Sequence, residues 1–229
     1  MSSKPGFEDG HDVPPATTER DTGRIEAFSD GVFAIAITLL ILEIKVPHAH
    51  GSSRPFSLLG SLTGLWPSYF SYLLSFTMIG IYWANHHYIF KLFTRTNHIL
   101  NLLNLLFLLT ISFLPFPTAT LGNYMLNEAN RTTAATFYAF GLLLPACTWL
   151  LMWLYATSGR RLVHQRLESV FLHRLTIQYV GTVAIYLGAV LLCLVDVRLG
   201  LGVCVGLTLL YLLPPASYAY AREKRKPQK

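Results

Sequence analysis

The side chains that could do chemistry in this chain of 229 residues lie at the edges of its apolar runs. Asp30 lies near the start of one run, and the adjacent histidines His86 and His87 lie at the end of another. Asn101 and Asn104 are three residues apart at the start of a third run, so they share one helix face and suit hydrogen bonds between helices. An ionisable group within a membrane-spanning helix is costly unless it is partnered or hydrated, which makes Asp30 a candidate functional residue.

The spacing of these residues indicates neither a metal site nor a catalytic site. Adjacent side chains point about 100° apart on a helix, so His86 and His87 do not suit one metal ion, whereas helical zinc sites favour an i, i+4 pair. Cys147, Cys193 and Cys204 each lie in an apolar run and are interpreted as small buried hydrophobic residues. Because the sequence also has no nucleophile motif and no phosphate-binding glycine loop, we expect no enzyme activity, no catalytic residues and no cofactor.

The composition indicates a membrane protein with several spans. Hydrophobic residues make up 52% of the chain and charged residues 13%, whereas about a quarter of a soluble domain is charged. The net charge of +6 comes from basic residues in loops and tails that flank the apolar runs. That distribution is typical of membrane topology rather than of a nucleic-acid-binding face. We therefore expect an all-α protein that contacts the lipid bilayer and does not bind nucleic acid.

Six apolar runs are predicted to be transmembrane helices, and they are called predicted helices 1 to 6. They cover residues 24–46, 67–88, 98–121, 133–157, 175–195 and 199–219. Together they form one membrane domain, residues 23–220, without an internal repeat. A flexible cytoplasmic tail, residues 1–22, precedes it, and a basic cytoplasmic tail, residues 221–229, follows it. Pro115 and Pro117 predict a kink in predicted helix 3.

The distribution of basic residues predicts the orientation of these helices. Of the 18 Lys and Arg residues, 14 lie in the two tails and in the loops after predicted helices 2 and 4, and 4 lie on the opposite side. Cytoplasmic loops carry an excess of Lys and Arg, so both termini are expected in the cytoplasm. The sequence thus predicts a multi-pass protein of the inner, or plasma, membrane.

Predicted helix 1 carries an apolar stripe. At about 100° per residue, the stripe includes Phe28, Gly31, Ile35, Thr38, Leu39 and Leu42 within an arc of about 100°, and Thr38 supplies its one hydroxyl. Asp30 lies on a different face, so it needs a partner within its own bundle if the stripe faces a water path. The candidate partners are Arg24, His86, His87, His98, Asn101 and Asn104. The alternative is that the stripe packs against another helix and Asp30 extends to the cytoplasmic interface.

Three motifs resemble those of bacterial members of the transmembrane protein 175 (lysosomal potassium channel) family. The segment RIEAFSDG, residues 24–31, is similar to the R-x-x-x-F-S-D signature of the family. The segment WANHHYIF, residues 83–90, is similar to the family's helix 2 pattern. The segments NLLFL, residues 104–108, and LPFPT, residues 114–118, are similar to its helix 3 pattern. The resemblance covers residues 24 to about 121, and the later helices agree only in number and hydrophobicity.

The resemblance implies a potassium-permeable cation channel in which each subunit is a single six-helix repeat. Four copies of helix 1 line the pore of a homotetramer, so the implied partners are potassium ions and further copies of the chain. Counting from the signature aspartate, the resemblance implies that Ile35 forms an apolar constriction that serves as a gate. Thr38 falls at a position linked to selectivity, and Leu39 and Leu42 also line the pore. The only metal implied is potassium in transit through the pore.

The resemblance also implies a buried polar network around helix 1. It implies Arg24, Asp30 and either His86 or His87, and the spacing of the polar residues adds Ser29, Asn101 and Asn104. A different function, a proton-coupled secondary transporter, would use Asp30 and a helix 2 histidine as a proton relay. Transporters typically have repeats and broken helices at mid-membrane, whereas helix 1 has no proline before Pro47. A membrane scaffold without transport is a third alternative.

Overall fold

The computed structural model describes residues 22–48, 57–160, 162–164 and 167–212, and these ranges are almost entirely helical. Eight α-helices follow one another in the described ranges: α1 Gly23–Leu39, α2 Leu58–Gly64, α3 Trp66–Phe90, α4 His98–Phe113, α5 Pro115–Tyr124, α6 Arg131–Thr157, α7 Ser169–Val195 and α8 Val197–Leu212. Predicted helices 2, 4, 5 and 6 correspond to α3, α6, α7 and α8. The all-α prediction is confirmed for this part of the chain.

Predicted helix 1 is shorter and less regular than the sequence indicated. The α-helical geometry ends at Leu39, and a 3-10 turn, Leu40–Glu43, continues it before Ile44 becomes extended. The Lys45 ammonium donates a hydrogen bond to the Leu42 carbonyl oxygen at 2.8 Å. This bond satisfies one of the carbonyl groups that a helix end leaves without a partner, so the helix stops before the predicted residue 46.

Predicted helix 3 is divided into two helices at Leu114, the residue before Pro115, although the backbone of Leu114 keeps helical angles. Pro115 begins α5, where its missing N–H group costs no hydrogen bond. At the other end of the pair, the Asn97 side chain accepts a hydrogen bond from the Leu100 amide at 2.9 Å and caps α4. The boundary between α4 and α5 falls at the first of the two prolines that predict a kink.

Four helical runs in the described ranges are long and apolar enough to cross a membrane: Gly23–Glu43, His98–Tyr124, Arg131–Arg160 and Ser169–Val195. Two of the six predicted spans fall outside this set. Serine, tyrosine and histidine residues make α3 less apolar than the other four, although it has 25 residues. The described part of α8 is apolar but has only 16 residues.

The core forms where α6 packs against α4, α5, α7 and α8, and α1 packs against α3 and α4 at its edge. Its largest fully buried side chains are aromatic: Phe33, Phe90, Phe107, Tyr138, Trp153 and Tyr186. Helices α7 and α8 meet so closely that a Cβ atom at Gly200 would lie 2.3 Å from the Cys193 sulfur. Only glycine fits at that position, which lets the two helices form a tight hairpin.

The connections after α3 and after α6 contact each other. Thr94 donates its amide to the Leu162 carbonyl oxygen at 2.9 Å, and His164 donates its amide to the Leu92 carbonyl oxygen at 3.0 Å. These two bonds flank an isolated antiparallel bridge between Phe93 and Val163. Both loops therefore lie at the same end of the helix bundle.

Candidate functional site on helix α1

One face of α1 is buried against its own chain. The buried residues are Ser29, Phe33, Ala36 and Leu40, which follow the spacing of a helix face and are called the buried stripe. They pack against α3 and α4. The side chain at the polar end of this stripe is a serine, and the other three are apolar. The buried stripe is therefore the surface that fixes the position of α1 in the fold.

The opposite side of α1 is exposed in the chain. It carries four of the residues that the sequence grouped into one stripe, Ile35, Thr38, Leu39 and Leu42, now called the open stripe. Ile35 is 60% exposed and Leu42 is 61% exposed, although both are large apolar side chains. At about 100° per residue, the open stripe lies roughly opposite the buried stripe. The structure thus brings these four residues together on one uncovered surface.

The hydroxyl of Thr38 is oriented by its own helix. Its Oγ1 lies 3.0 Å from the Ala34 carbonyl oxygen and 2.9 Å from the Ile35 carbonyl oxygen, so the hydroxyl proton is donated to the backbone. A hydroxyl oxygen that has donated its proton keeps two lone pairs as acceptors. Thr38 is exposed, and its oxygen is the one side-chain acceptor of the open stripe. The open stripe can therefore offer oxygen ligands to a cation.

A directional chain of hydrogen bonds joins α1 to α4 and α3. Ser29 donates its hydroxyl to the Ile25 carbonyl oxygen at 2.8 Å, and Asn104 donates its amide to Ser29 Oγ at 3.0 Å. The Asn104 Oδ1 atom lies 2.9 Å from His86 Nε2. Because an amide oxygen only accepts, His86 carries its proton on Nε2 and donates it. Ser29, His86 and Asn104 are all buried, so the chain replaces hydration that these groups have lost.

Aromatic rings surround His86. Phe90 stacks on its imidazole with ring centroids 4.3 Å apart, and Phe33 meets it edge-on at 5.5 Å. Phe107 and Trp149 complete the enclosure, at 6.1 Å and 6.5 Å between centroids. Phe33 belongs to the buried stripe, so α1 itself forms part of this enclosure. The surroundings favour a neutral imidazole that serves as a hydrogen-bond donor.

The other polar residues of α1 lie outside this chain of bonds. Asp30 is exposed and its Oδ1 accepts a hydrogen bond from Trp83 Nε1 at 2.9 Å. Its partner is therefore a residue outside the six sequence candidates. Trp83 belongs to the WANHHYIF motif of the sequence. Its indole N–H lies in an apolar helix, where it needs a hydrogen-bond acceptor, and this requirement could have indicated Asp30 as its partner. The structure does not join Asp30 to either histidine by a hydrogen bond.

The remaining predicted residues take separate positions. His87 Nδ1 lies 3.3 Å from Glu26 Oε2 on a more exposed side of α3, away from the enclosed His86. Arg24 and His98 are exposed at the starts of α1 and α4. Asn101 Oδ1 is buried and has no hydrogen-bond partner within the described ranges. Of the predicted network, the structure thus connects Ser29, His86 and Asn104, and the hydrogen bonds of the described residues do not join Arg24, Asp30, His87 or Asn101 to them.

Known proteins are similar to this chain both in its first half, where the sequence motifs lie, and beyond it. The family model described as endosomal/lysosomal potassium channel TMEM175 matches residues 24–115. A potassium channel from Chamaesiphon minutus is 43% identical over 198 residues, which cover 86% of this chain and 97% of the relative. A potassium channel from Streptomyces collinus is 43% identical over 149 residues, which cover 65% of this chain and 71% of the relative.

A solved structure is similar across most of the fold. It is the crystal structure of a lysosomal potassium-selective channel TMEM175 homolog from Chamaesiphon minutus, with a TM-score of 0.75 and 43% sequence identity. The match covers 84% of this chain and 96% of that chain. The similarity therefore includes the helices after α5, for which the sequence motifs gave no specific match.

Proposed function

Because the chain belongs to the TMEM175 family of potassium channels, we propose that it conducts potassium through a pore lined by four copies of α1 in a homotetramer. The protein is a potassium channel of the membrane and not an enzyme. The proposal concerns how it assembles and which residues the ion passes. Its partners are potassium ions, the lipid bilayer and three further copies of the chain.

The observation that carries the proposal is the exposure of the open stripe. An apolar surface that is exposed in one subunit of a membrane protein is covered by lipid or by another subunit, and the Thr38 hydroxyl within the open stripe favours a surface that contacts water or ions. The other side of the same helix is packed and hydrogen-bonded, so the open stripe lies within the exposed side of the helix, which also carries Phe28 and Ile41. Four copies of α1 around one axis would cover this face and enclose a narrow apolar passage with a hydroxyl in it.

Ile35 forms the gate in this proposal. Four isoleucine side chains around an axis make an apolar ring, and a narrow apolar ring loses its water. An ion without water or a substitute ligand is unfavourable there, so the ring blocks conduction when it is narrow. A small outward movement of α1 then admits water and ions. Leu39 and Leu42 line the passage beyond the ring.

Thr38 provides the selectivity region in this proposal. Its proton is donated to the Ala34 and Ile35 carbonyl oxygens, so four hydroxyl oxygens in a tetramer would direct lone pairs toward the ion. Oxygen ligands offset part of the hydration that potassium loses in a constriction. Sodium holds its hydration shell more strongly, so a ring of four neutral oxygens favours potassium.

The buried hydrogen-bond chain sets the rotation of α1. Ser29 is bonded to Asn104 and thereby to His86, and Phe33 packs against His86 on the same face. A rotation of α1 by one residue, about 100°, would break these contacts and turn the open stripe away from the pore axis. We therefore assign Ser29, His86 and Asn104 a positioning role. Arg24, Asp30, His87 and Asn101 lie outside this chain of hydrogen bonds.

The proposed topology has six spans within residues 23–220, with α3 and α8 as the two additional spans, and both tails in the cytoplasm. The contact between the loop after α3 and the loop after α6 supports it, since both loops belong to the predicted cytoplasmic side. Two residues of the first loop, Lys91 and Arg95, are basic, as cytoplasmic loops commonly are.

The proton-coupled transporter is the weaker alternative. A relay between Asp30 and a helix 2 histidine would need the two groups to exchange a proton directly or through water. Within the described ranges, Asp30 is hydrogen-bonded to Trp83 and His86 is hydrogen-bonded to Asn104, so the two groups belong to separate contacts. The potassium channels among the relatives agree with the channel mechanism.

A potassium-flux assay on purified protein in liposomes tests the proposal. Ile35→Asn replaces the apolar ring with a polar one, so we expect flux to rise several-fold and the preference for potassium over sodium to fall. Ile41→Asn is the matched control, since Ile41 is the same residue type, exposed on α1, and outside the open stripe. If Ile35→Asn forms a tetramer with unchanged flux, the assignment of the gate is wrong. Flux that requires a proton gradient would favour the transporter.

A further inference from the structure

A small oxygen-lined cavity lies between the 3-10 turn that follows α1, the start of α3 and the end of α5. Its volume is about 10 Å³, which is close to the space that one water molecule or one alkali ion needs. The oxygen-bearing side chains that line it are Glu43, Ser68, Ser71, Tyr72 and Thr118. Nothing in the proposed pore uses these residues.

The hydroxyls of this cavity are arranged as acceptors. Ser71 donates its proton to the Ser68 carbonyl oxygen at 3.2 Å, and Thr118 donates its proton to the Leu114 carbonyl oxygen at 2.7 Å. Both residues are buried, with 1% of Ser71 and 2% of Thr118 exposed. Because both protons are donated to the backbone, Ser71 Oγ keeps two lone pairs, and Thr118 Oγ1, which also accepts the Ser75 hydroxyl at 2.6 Å, keeps one for a cation.

The glycine of α5 keeps the cavity open. A Cβ atom at Gly122 would lie 2.9 Å from the Ser68 Cα atom, where α3 and α5 pack closely, and 3.0 Å from both Ser68 Oγ and Ser71 Oγ. The two hydroxyl oxygens therefore converge on one point beside the glycine. Any larger residue at position 122 would occupy that point.

The charge around the cavity favours a cation. Glu43 is the one charged side chain among the described residues that line it. The 3-10 turn and α5 both end here, and their C-terminal dipoles are negative, whereas α3 begins here with the opposite sign. The nearby Lys45 ammonium is bonded to the Leu42 carbonyl oxygen, so it is committed to the helix end. The Glu43 carboxylate therefore makes the net charge of the cavity negative.

We propose that this cavity binds a single monovalent alkali cation, held by the Glu43 carboxylate and the hydroxyl oxygens of Ser68, Ser71 and Thr118. One carboxylate matches one positive charge. Calcium takes six to eight oxygen ligands with several carboxylates, and magnesium retains waters that this volume does not admit. Leu40 of the buried stripe also lines the cavity, so the bound ion ties the end of α1 to α3 and α5.

Thermal unfolding of the purified channel tests the site. At constant ionic strength, sodium or potassium chloride is compared with the chloride of N-methyl-D-glucamine, an organic cation too large for the cavity. We expect the alkali cations to raise the unfolding midpoint by several degrees. Glu43→Gln should lose most of that shift, whereas Glu128→Gln, which neutralises an exposed carboxylate outside the cavity, should keep it. If Glu43→Gln keeps the full shift, the site does not exist as proposed.

Thallium, an electron-rich substitute for potassium, tests the position directly. We expect an anomalous peak beside Glu43 in thallium-soaked crystals, and we expect Gly122→Ala to abolish it because the added methyl fills the cavity. Gly80→Ala is the matched control, since a Cβ atom there meets nothing within 4 Å. A cavity that holds only ordered water, or no density, overturns the proposal. This outcome is independent of the pore assignment, because the readout is the peak beside Glu43.

Discussion

Leu39, the last residue of α1, and Leu40, the first residue of the 3-10 turn, are chemically identical neighbours in opposite surroundings. Leu40 is fully buried against the chain, whereas 43% of Leu39 is exposed. The same contrast holds along the helix between the buried stripe and the open stripe. Apolar residues on the buried stripe stabilise the subunit, whereas apolar residues on the open stripe are the ones that we propose to line the pore. Hydrophobicity alone therefore does not identify which residues hold the helix in place.

The largest expected difference between the two stripes is in stability. Leu40→Ala should lower the free energy of unfolding by about 2–5 kcal/mol, because it leaves a cavity in a packed core. Leu39→Ala removes the same atoms from an exposed site and should cost less than about 1 kcal/mol. Chemical or thermal unfolding of the detergent-solubilised protein measures both. Equal losses in the two variants would remove the distinction between the stripes.

The two asparagines of α4 test whether the hydrogen bonds to the buried stripe stabilise the position of α1. Asn104→Ala breaks the bonds to Ser29 and His86, so we expect a loss of about 1–2 kcal/mol in unfolding free energy. Asn101→Ala removes a buried carbonyl oxygen without a partner in the described ranges, so stability should stay the same or rise. An Asn101→Ala variant less stable than Asn104→Ala would show that the directional chain of bonds does not anchor α1.

On the open stripe, the sharpest test is to remove the Thr38 hydroxyl oxygen and to measure ion selectivity. Thr38→Val keeps the shape of the side chain and removes the hydroxyl, so the potassium preference over sodium should fall roughly five-fold, for about 1 kcal/mol of lost ligand energy. Thr38→Ser keeps the oxygen and should keep most of the preference. Reversal potentials under bi-ionic conditions measure both variants. Selectivity that is the same in Thr38→Val and in the wild type would exclude Thr38 from the selectivity region.

The smallest effect is expected at the edge between the two stripes. Trp83→Phe keeps the ring on α3 but removes the exposed hydrogen bond to Asp30, which should cost about 0.5 kcal/mol. The yield of tetramer after size-exclusion chromatography and the unfolding midpoint report this change. A collapse of assembly in Trp83→Phe would mean that this bond holds the subunits together and not just one helix.

Much of this arrangement could be predicted from the sequence. Apolar runs indicated the helix positions, and three motifs indicated the family, which the comparisons confirm. The grouping of Ile35, Thr38, Leu39 and Leu42 followed from helix periodicity, and these four residues do lie on one exposed surface. The boundary between α4 and α5 at Pro115 also followed from residue type alone. Each of these features depends on local geometry that a single chain segment determines.

Other features depended on neighbours that the sequence does not reveal. Whether His86 or His87 reaches Asn104 was open, because adjacent residues differ by about 100° and only the position of α4 decides between them. The partner of Asp30 was missed for the same reason, since Trp83 lies on another helix. The early end of α1 at Leu39 was also missed. It results from a 3-10 turn and a lysine contact rather than from a helix-breaking residue.

The one-way order of donors from His86 to Asn104 to Ser29 also limits how α1 can slip. If α1 slipped by one residue, either Phe28 or Asp30 would stand opposite the Asn104 amide in place of Ser29. Phenylalanine offers no acceptor, but the Asp30 carboxylate would accept that amide as well as the serine does. In the folded chain, Trp83 already occupies this carboxylate. The Trp83 indole on α3 thus keeps Asp30, the neighbouring residue that could accept the Asn104 amide, away from Asn104 and disfavours a misaligned α1.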